Sequence, residues 1–339
     1  MVSVRNYIST HFTKIFLTIF LPFFLIISLI YLVRISMLTT QIKLTFSELL
    51  TLYAYSMPDI IFYTMPLSFI AALANTLAKL SIDNELIALY ALGLKAHKVL
   101  KSLWVLALLF SILLLTISFL AMPMSKQYYK AFKASKKKEA KLNITAGKLG
   151  QKFGDYYIYV KKEDNGKFED IVIYNRTNKQ QEQFFASKYG QINHHNNTAS
   201  LLLKEGYGYT YQKENLQQAR YRTLEVFDTT QQHNYRFQDT VSYWMQMRDD
   251  IKIMHRALFF IFVSLIPLLA IYLVSAFTMI NPRYQSNHSF IIIFATAFPL
   301  YMAASILERD GNFILLFITI LFVLLLGRWL FNLRVARYF

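Results

Sequence analysis

"SMPDIIFYTMPLSFIAALANTLAKLSIDNELIALYALGLK", residues 56–95, decides how the rest of the chain is read. From Ile60 to Ala78 it is apolar enough to cross a bilayer, which takes about 20 such residues. It then turns polar. "KLSIDNELIALYALGLK" packs acids, an amide, lysines and a glycine into a gap that needs only a tight turn. A second apolar run, Ser102–Met124, follows.

The polar stretch reads as a short helix over about residues 83–93. Ser81 or Asp83 can cap its N-terminus, and Glu85 in the first turn complements the helix dipole. Ile82, Leu86, Leu89, Tyr90 and Gly93 recur at helical spacing and make one apolar face. Gly93 stands where a left-handed residue ends a helix at little cost. Two readings stay open on these residues. One is an interfacial turn with a solvated face. The other is a rigid peg, too short to be stable alone, that docks in a cleft on another subunit and pairs an exposed Glu85 with a basic residue there.

Outward from this stretch, further apolar blocks appear at Ile15–Val33, Ala257–Ile280, Ser289–Leu307 and Phe313–Leu333. Six spans result, three on each side of a polar insert. The chain has 339 residues, is 55% hydrophobic and only 17% charged, and its apolar residues fall in blocks, so it is an integral membrane protein with a water-soluble portion. Absence of cysteine excludes disulfides, thiolate metal sites and cysteine nucleophiles. A formal charge of +16 points to anionic lipid rather than nucleic acid in such a protein.

Charge placement gives a divided answer on orientation. With a cytoplasmic N-terminus, the inner side holds Arg5, Lys14, Lys79, Lys95, Lys98, Lys101, Arg283, Arg328, Arg334 and Arg337. The short outer loops then hold only Arg34, Lys43 and Arg309, as the positive-inside rule asks. Against this, "SKQYYKAFKASKKKEAK" after the third span has seven lysines and would be placed inside by the same rule. Long domains translocate largely regardless of charge.

The insert, residues 125–255, separates membrane segments 1–124 and 256–339. "YYIYVKK", "FEDIVIY", "EQFFASKYGQI", "ASLLLKEGYGYTYQ" and "RYRTLEVF" are β-branched and aromatic runs, with turn signals at Glu163–Lys167 and Asn193–Thr198. That spacing predicts an antiparallel sandwich or open barrel from about Asn143 to Thr230. Basic, helix-compatible segments flank it, Ser125–Leu142 and Tyr235–His255.

Catalytic signatures are missing. No phosphate-binding G-x-x-x-x-G-K-[ST] loop, H-E-x-x-H zinc motif or G-x-S-x-G elbow occurs. His194–His195 has no third ligand at motif spacing and reads as a polar loop. The sequons at Asn143, Asn175 and Asn196 are expected by chance in Asn-rich text. Asp59 beside Pro58 reads as an interfacial cap at a span entrance, not as a proton relay. No catalytic residue, metal or cofactor is expected.

The order "KLS-DNEL-AL-ALG", preceded by Pro58 and Pro66, resembles the signature region of the lipopolysaccharide-export permeases of the LptF/LptG type. The "NEL…A…G" part is specific, and the plan of three spans, β-rich insert, three spans and basic tail resembles the family throughout. The resemblance implies six transmembrane helices in a 3+3 arrangement, with a periplasmic β-jellyroll between the third and fourth. It implies an inner-membrane protein with both termini cytoplasmic, paired with a second, paralogous permease and bound by a cytoplasmic ABC ATPase dimer. Residues 83–93 become the coupling helix, with Asp83 and Glu85 as its acidic residues, Leu86 and Leu89 as apolar contacts and Gly93 as its end. Arg34, and Lys43 after it, become contacts for lipopolysaccharide phosphates. The implied activity is ATP-driven extraction of lipopolysaccharide from the outer leaflet and its passage to periplasmic jellyroll bridge proteins; ATP is hydrolysed by the partner. The alternative is a membrane-anchored sensor or assembly factor whose β-domain binds a ligand, with no ATPase. A lipoprotein-releasing permease would normally have fewer spans.

Overall fold

The computed structural model describes residues 4–40, 44–142, 146–153, 156–164, 166–178, 181–195, 198–212, 215–227, 237–279 and 288–337. Lys43, Arg283 and the sequons at Asn143 and Asn196 lie outside them, as do the side chains of Lys137, Lys138 and Lys141. The chain divides into two units, one from residues 1–38, 45–129 and 237–339 and one from residues 39–44 and 130–236.

The first unit is helical: α1 Val4–Ser36, α2 Phe46–Ile82, α3 Glu85–Ala91, α4 Ala96–Thr116, the start of α5 Met122–Leu142 (which passes into the second unit at residue 130), α6 Thr240–Met245, α7 Ile251–Thr278, α8 Ser289–Asp310 and α9 Phe313–Phe331. A π-helical turn, Ile117–Ala121, joins α4 to α5 without a break. Among the described residues six helices are long and apolar enough to cross a membrane, three before the strands in the chain and three after.

Burial sorts these helices. The most apolar windows of α2 and α7 are each 72% buried, whereas those of α1 and α9 are 11% buried. The buried pair is rich in small and hydroxylated residues, among them Ser68, Ala72, Ala74 and Thr76 on α2 and Ser264, Ala270 and Ser275 on α7. Such residues let helix backbones approach closely where no hydrophobic effect drives association. The Ser81 hydroxyl ties α2 to α7 by donating to the Thr278 carbonyl at 2.8 Å. Trp244 of α6 donates its indole N–H to the Phe119 carbonyl inside the π-turn at 2.8 Å.

Several helices begin before their apolar runs. α2 starts at Phe46 instead of near Ile60, because the Glu48 carboxylate accepts the Thr45 N–H at 2.8 Å and closes a capping box. Asp59 is therefore no cap: it lies inside α2, paired with Lys126 at 3.6 Å. α7 starts at Ile251, where the Asp250 side chain accepts the Lys252 N–H at 2.8 Å. That start also interrupts the helical segment expected over Tyr235–His255.

In the second unit, β1 Gln151–Phe153, β2 Tyr156–Asp164, β3 Lys167–Asn178, β4 Gln181–His195, β5 Thr198–Gln212 and β6 Asn215–Phe227 form one antiparallel sheet in chain order. This is an up-and-down meander, whereas the resemblance implied a jellyroll. Its core is Ile158, Val160, Phe168, Ile171, Ile173, Leu201, Leu203 and Val226.

A crease crosses this sheet. In each of five strands consecutive exposed residues break the in–out alternation: a run from Lys161 to Asp164 in β2, and the pairs Glu169–Asp170, Lys188–Tyr189, Lys204–Glu205 and Arg222–Thr223. The pairing skips Lys161, Asp170, Lys188, Glu205 and Arg222, which stand opposite one another across β2 to β6. Asp170 (φ 51°) and Glu205 (φ 53°) are left-handed there. Because β2 to β6 all make the step at one level, no register is lost across it. Inside the crease there is no room for a methyl group: a Cβ on Gly206 would come 2.3 Å from the Ala186 carbonyl oxygen and 2.4 Å from the Tyr221 hydroxyl. The row itself alternates in sign, and Lys161 reaches Asp170 at 3.2 Å.

Candidate functional site

Two places in the helical unit gather the residues that the sequence singled out. The first is α3. It is seven residues long and hangs between two left-handed joints, Asn84 (φ 59°) and Gly93 (φ 79°). The N-cap position belongs to Asn84, while Asp83 caps the C-terminus of α2 and Ser81 is committed to α7. The N-terminal cap expected at Ser81 or Asp83 is thus displaced, because α2 runs unbroken to Ile82.

The other end follows the expected chemistry in full. The Gly93 N–H donates to the Tyr90 carbonyl at 2.9 Å and the Leu94 N–H to the Leu89 carbonyl at 3.2 Å, a Schellman motif closed by a glycine at C′.

Exposure departs from the sequence reading. Glu85 is half-buried, and the Tyr7 hydroxyl of α1 lies 2.9 and 2.8 Å from its two carboxylate oxygens. Leu86 is only 2% exposed and sits in the helical core with Ile8 and Phe12, with Leu89 packed half-buried beside it. Burial also holds the Tyr90 phenol well above its usual pKa range, so it stays neutral. The apolar side chains turned outward are instead Ile82 at 53% and Leu92 at 80% exposure, alongside Asp83, Asn84, Ala88 and Ala91. Helical spacing identifies an apolar face but not which body covers it. An open crevice of about 410 Å³ lies beside the joint that precedes the helix, lined by Thr18 and Ile19 of α1, Asn75, Lys79 and Ile82 of α2, Asp83 and Ser289.

The second place is the opposite end of α1, where Arg34 stands exposed in the last turn. The Asp59 carboxylate of α2 is within electrostatic reach of Lys126, Arg256 and Arg34. Lys126 of α5 pairs with it and also lies 5.7 Å from the Phe260 ring centre. Arg256 of α7 donates to the Tyr243 hydroxyl at 2.8 Å. Three cations from three helices therefore lie within reach of one acid, and Glu308 of α8 is a second acid in the same neighbourhood, felt with Asp59 by the Tyr63 phenol. Lys126 was read only as the first lysine of a basic run, and Arg256 was missed by sequence reasoning. The only available signal was their position at the first or last turn of an apolar run.

Among the described residues no cluster of histidine and acidic side chains could hold a metal ion.

A multi-span helical membrane protein with an antiparallel sheet inserted midway, a short helix on left-handed joints at one end and a cationic cluster at the other has the plan of a transport permease. The family model for the lipopolysaccharide export system permease LptF/LptG matches residues 6–333, and the chain belongs to that family. No curated protein was found to match it. It is accordingly a multi-pass transport component of lipopolysaccharide export.

Proposed function

We propose that this chain is one permease subunit of an ATP-driven lipopolysaccharide extractor, working beside a second, paralogous permease on a shared cytoplasmic ATPase dimer. The observation that carries the proposal is α3. It is an isolated two-turn helix between two membrane spans, too short to hold itself and jointed at both ends, with outward side chains at Ile82, Asp83, Ala88 and Leu92. That surface suits a groove on a partner. Lys79, Lys95, Lys98 and Lys101 flank it and suit an inner-leaflet, cytoplasmic position. On this orientation the sheet is periplasmic and the Arg34 end meets the outer leaflet. There Arg34, Lys126 and Arg256 supply the cations that a phosphorylated lipid head group needs. The creased sheet takes the part of the family's jellyroll, receiving acyl chains and passing them on by strand-to-strand continuation to bridge proteins.

Affinity purification from membranes tests this directly. The permease is expected to bring down an ATPase and a second permease, and Glu85→Ala to weaken ATPase recovery severalfold with membrane insertion unchanged. Full ATPase recovery with Glu85→Ala removes Glu85 from the contact. Absence of any ATPase from the wild-type preparation leaves the sensor reading in its place.

A further inference from the structure

Glu85 is the acid on which docking is proposed to rest, and its carboxylate is already engaged inside the permease. The Tyr7 hydroxyl sits 2.9 and 2.8 Å from the two oxygens. A phenol has one proton to give, so it straddles the carboxylate and leaves most of the acid's roughly four lone-pair positions open. The phenol is itself fixed. Its ring stacks on His11 at 5.9 Å between centroids, and the neighbouring Ile8 and Phe12 are buried in the helical core.

α3 needs such an anchor. Left-handed joints at Asn84 and Gly93 release it from the helices on either side, and Leu86 is its one fully buried side chain. The Ile82–Asp83 side opens on the crevice. Leu86, Leu89 and Tyr90 hold the inner face of α3 by apolar packing, which gives a carboxylate no direction. Tyr7 supplies the directional contact.

We propose that Tyr7 is a positioning residue for the ATPase contact: it locks the Glu85 carboxylate so that its outward lone pairs meet a basic side chain of the partner. The proposal rests on the docking role of α3, and the test separates the two. The whole complex, this permease with its paralogue in lipid nanodiscs, is titrated with the purified ATPase for wild type, Tyr7→Phe, Glu85→Gln and the double variant. Tyr7→Phe keeps the ring on His11 and removes only the hydroxyl.

ATPase affinity should fall about three- to tenfold in Tyr7→Phe, the scale of the net contribution of one ordinary hydrogen bond. It should fall further in Glu85→Gln, and the double variant should bind no worse than Glu85→Gln alone, because Tyr7 acts only through Glu85. Wild-type affinity in Tyr7→Phe, or full additivity of the two substitutions, overturns the positioning role while the docking helix stands. Unchanged affinity in Glu85→Gln overturns both.

Discussion

Among individual residues, Leu86 and Leu92 have opposite assignments although both are leucines on one two-turn helix. Leu86 is 2% exposed and Leu92 80%. Leu86→Ala opens a cavity in the helical core and should cost about 2–5 kcal/mol of stability. A clear drop in melting temperature in detergent, whether or not the ATPase is present, is the expected result. Leu92→Asp touches nothing in the permease, so the melting temperature should hold while ATPase recovery falls. The reverse pattern would place the partner on the wrong face of α3. Periodicity had put Leu86 and Leu89 on one apolar face, and the resemblance had made them contacts for another protein. The face was legible and its owner was not, since a hydrophobic stripe is equally satisfied by the chain's own core. Gly93 was legible outright, because only the backbone decides its role.

Among elements, the apolar runs were visible in the sequence but their helices were not fully so. Pro22, Pro58, Pro66, Pro267 and Pro299 all lie inside continuous helices. These five prolines therefore mark no span boundary, as expected where neighbouring helices re-satisfy the freed carbonyls. The true starts are set by polar caps such as Thr45–Glu48 and Asp250, which lie outside any hydropathy window. In the sheet, strand order was within reach of simple hairpin reasoning. The crease was written in the sequence as well, as consecutive polar residues in each of five strands, but only the register shows them falling in line. Gly206 tests it. A Cβ there overlaps the Ala186 carbonyl and the Tyr221 hydroxyl, whereas at Gly208 the nearest atom is Phe185 ring carbon at 3.1 Å, which can give way. Gly206→Ala should destabilise the sheet by about 1–3 kcal/mol and Gly208→Ala by less, read as the unfolding midpoint of the purified protein. Equal effects would mean that the crease does not depend on the missing side chain.

At the scale of the whole molecule, one helix joins the two sites. Tyr7 and Arg34 both belong to α1, and at 1.5 Å of rise per residue they stand roughly 40 Å apart. That distance is several screening lengths at physiological salt, so the Glu85 carboxylate that Tyr7 holds and the Arg34 guanidinium do not feel each other directly. The two ends should therefore fail in separable ways. With a photo-crosslinker placed beside Arg34 in the assembled complex, Arg34→Glu replaces a cation with an anion next to Asp59. It should cut lipopolysaccharide crosslinking severalfold and leave ATPase recovery at the wild-type level. Glu85→Ala should do the opposite: normal crosslinking at the Arg34 end in the absence of ATP, but none of the ATP-dependent loss of that crosslink that release of the lipid produces. If Arg34→Glu also lowers ATPase recovery, the substitution has disturbed the fold and not a lipid contact. If crosslinking is untouched, Arg34 leaves the site, and Lys126 and Arg256, which hold the same carboxylate from other helices, become the cations to reverse next.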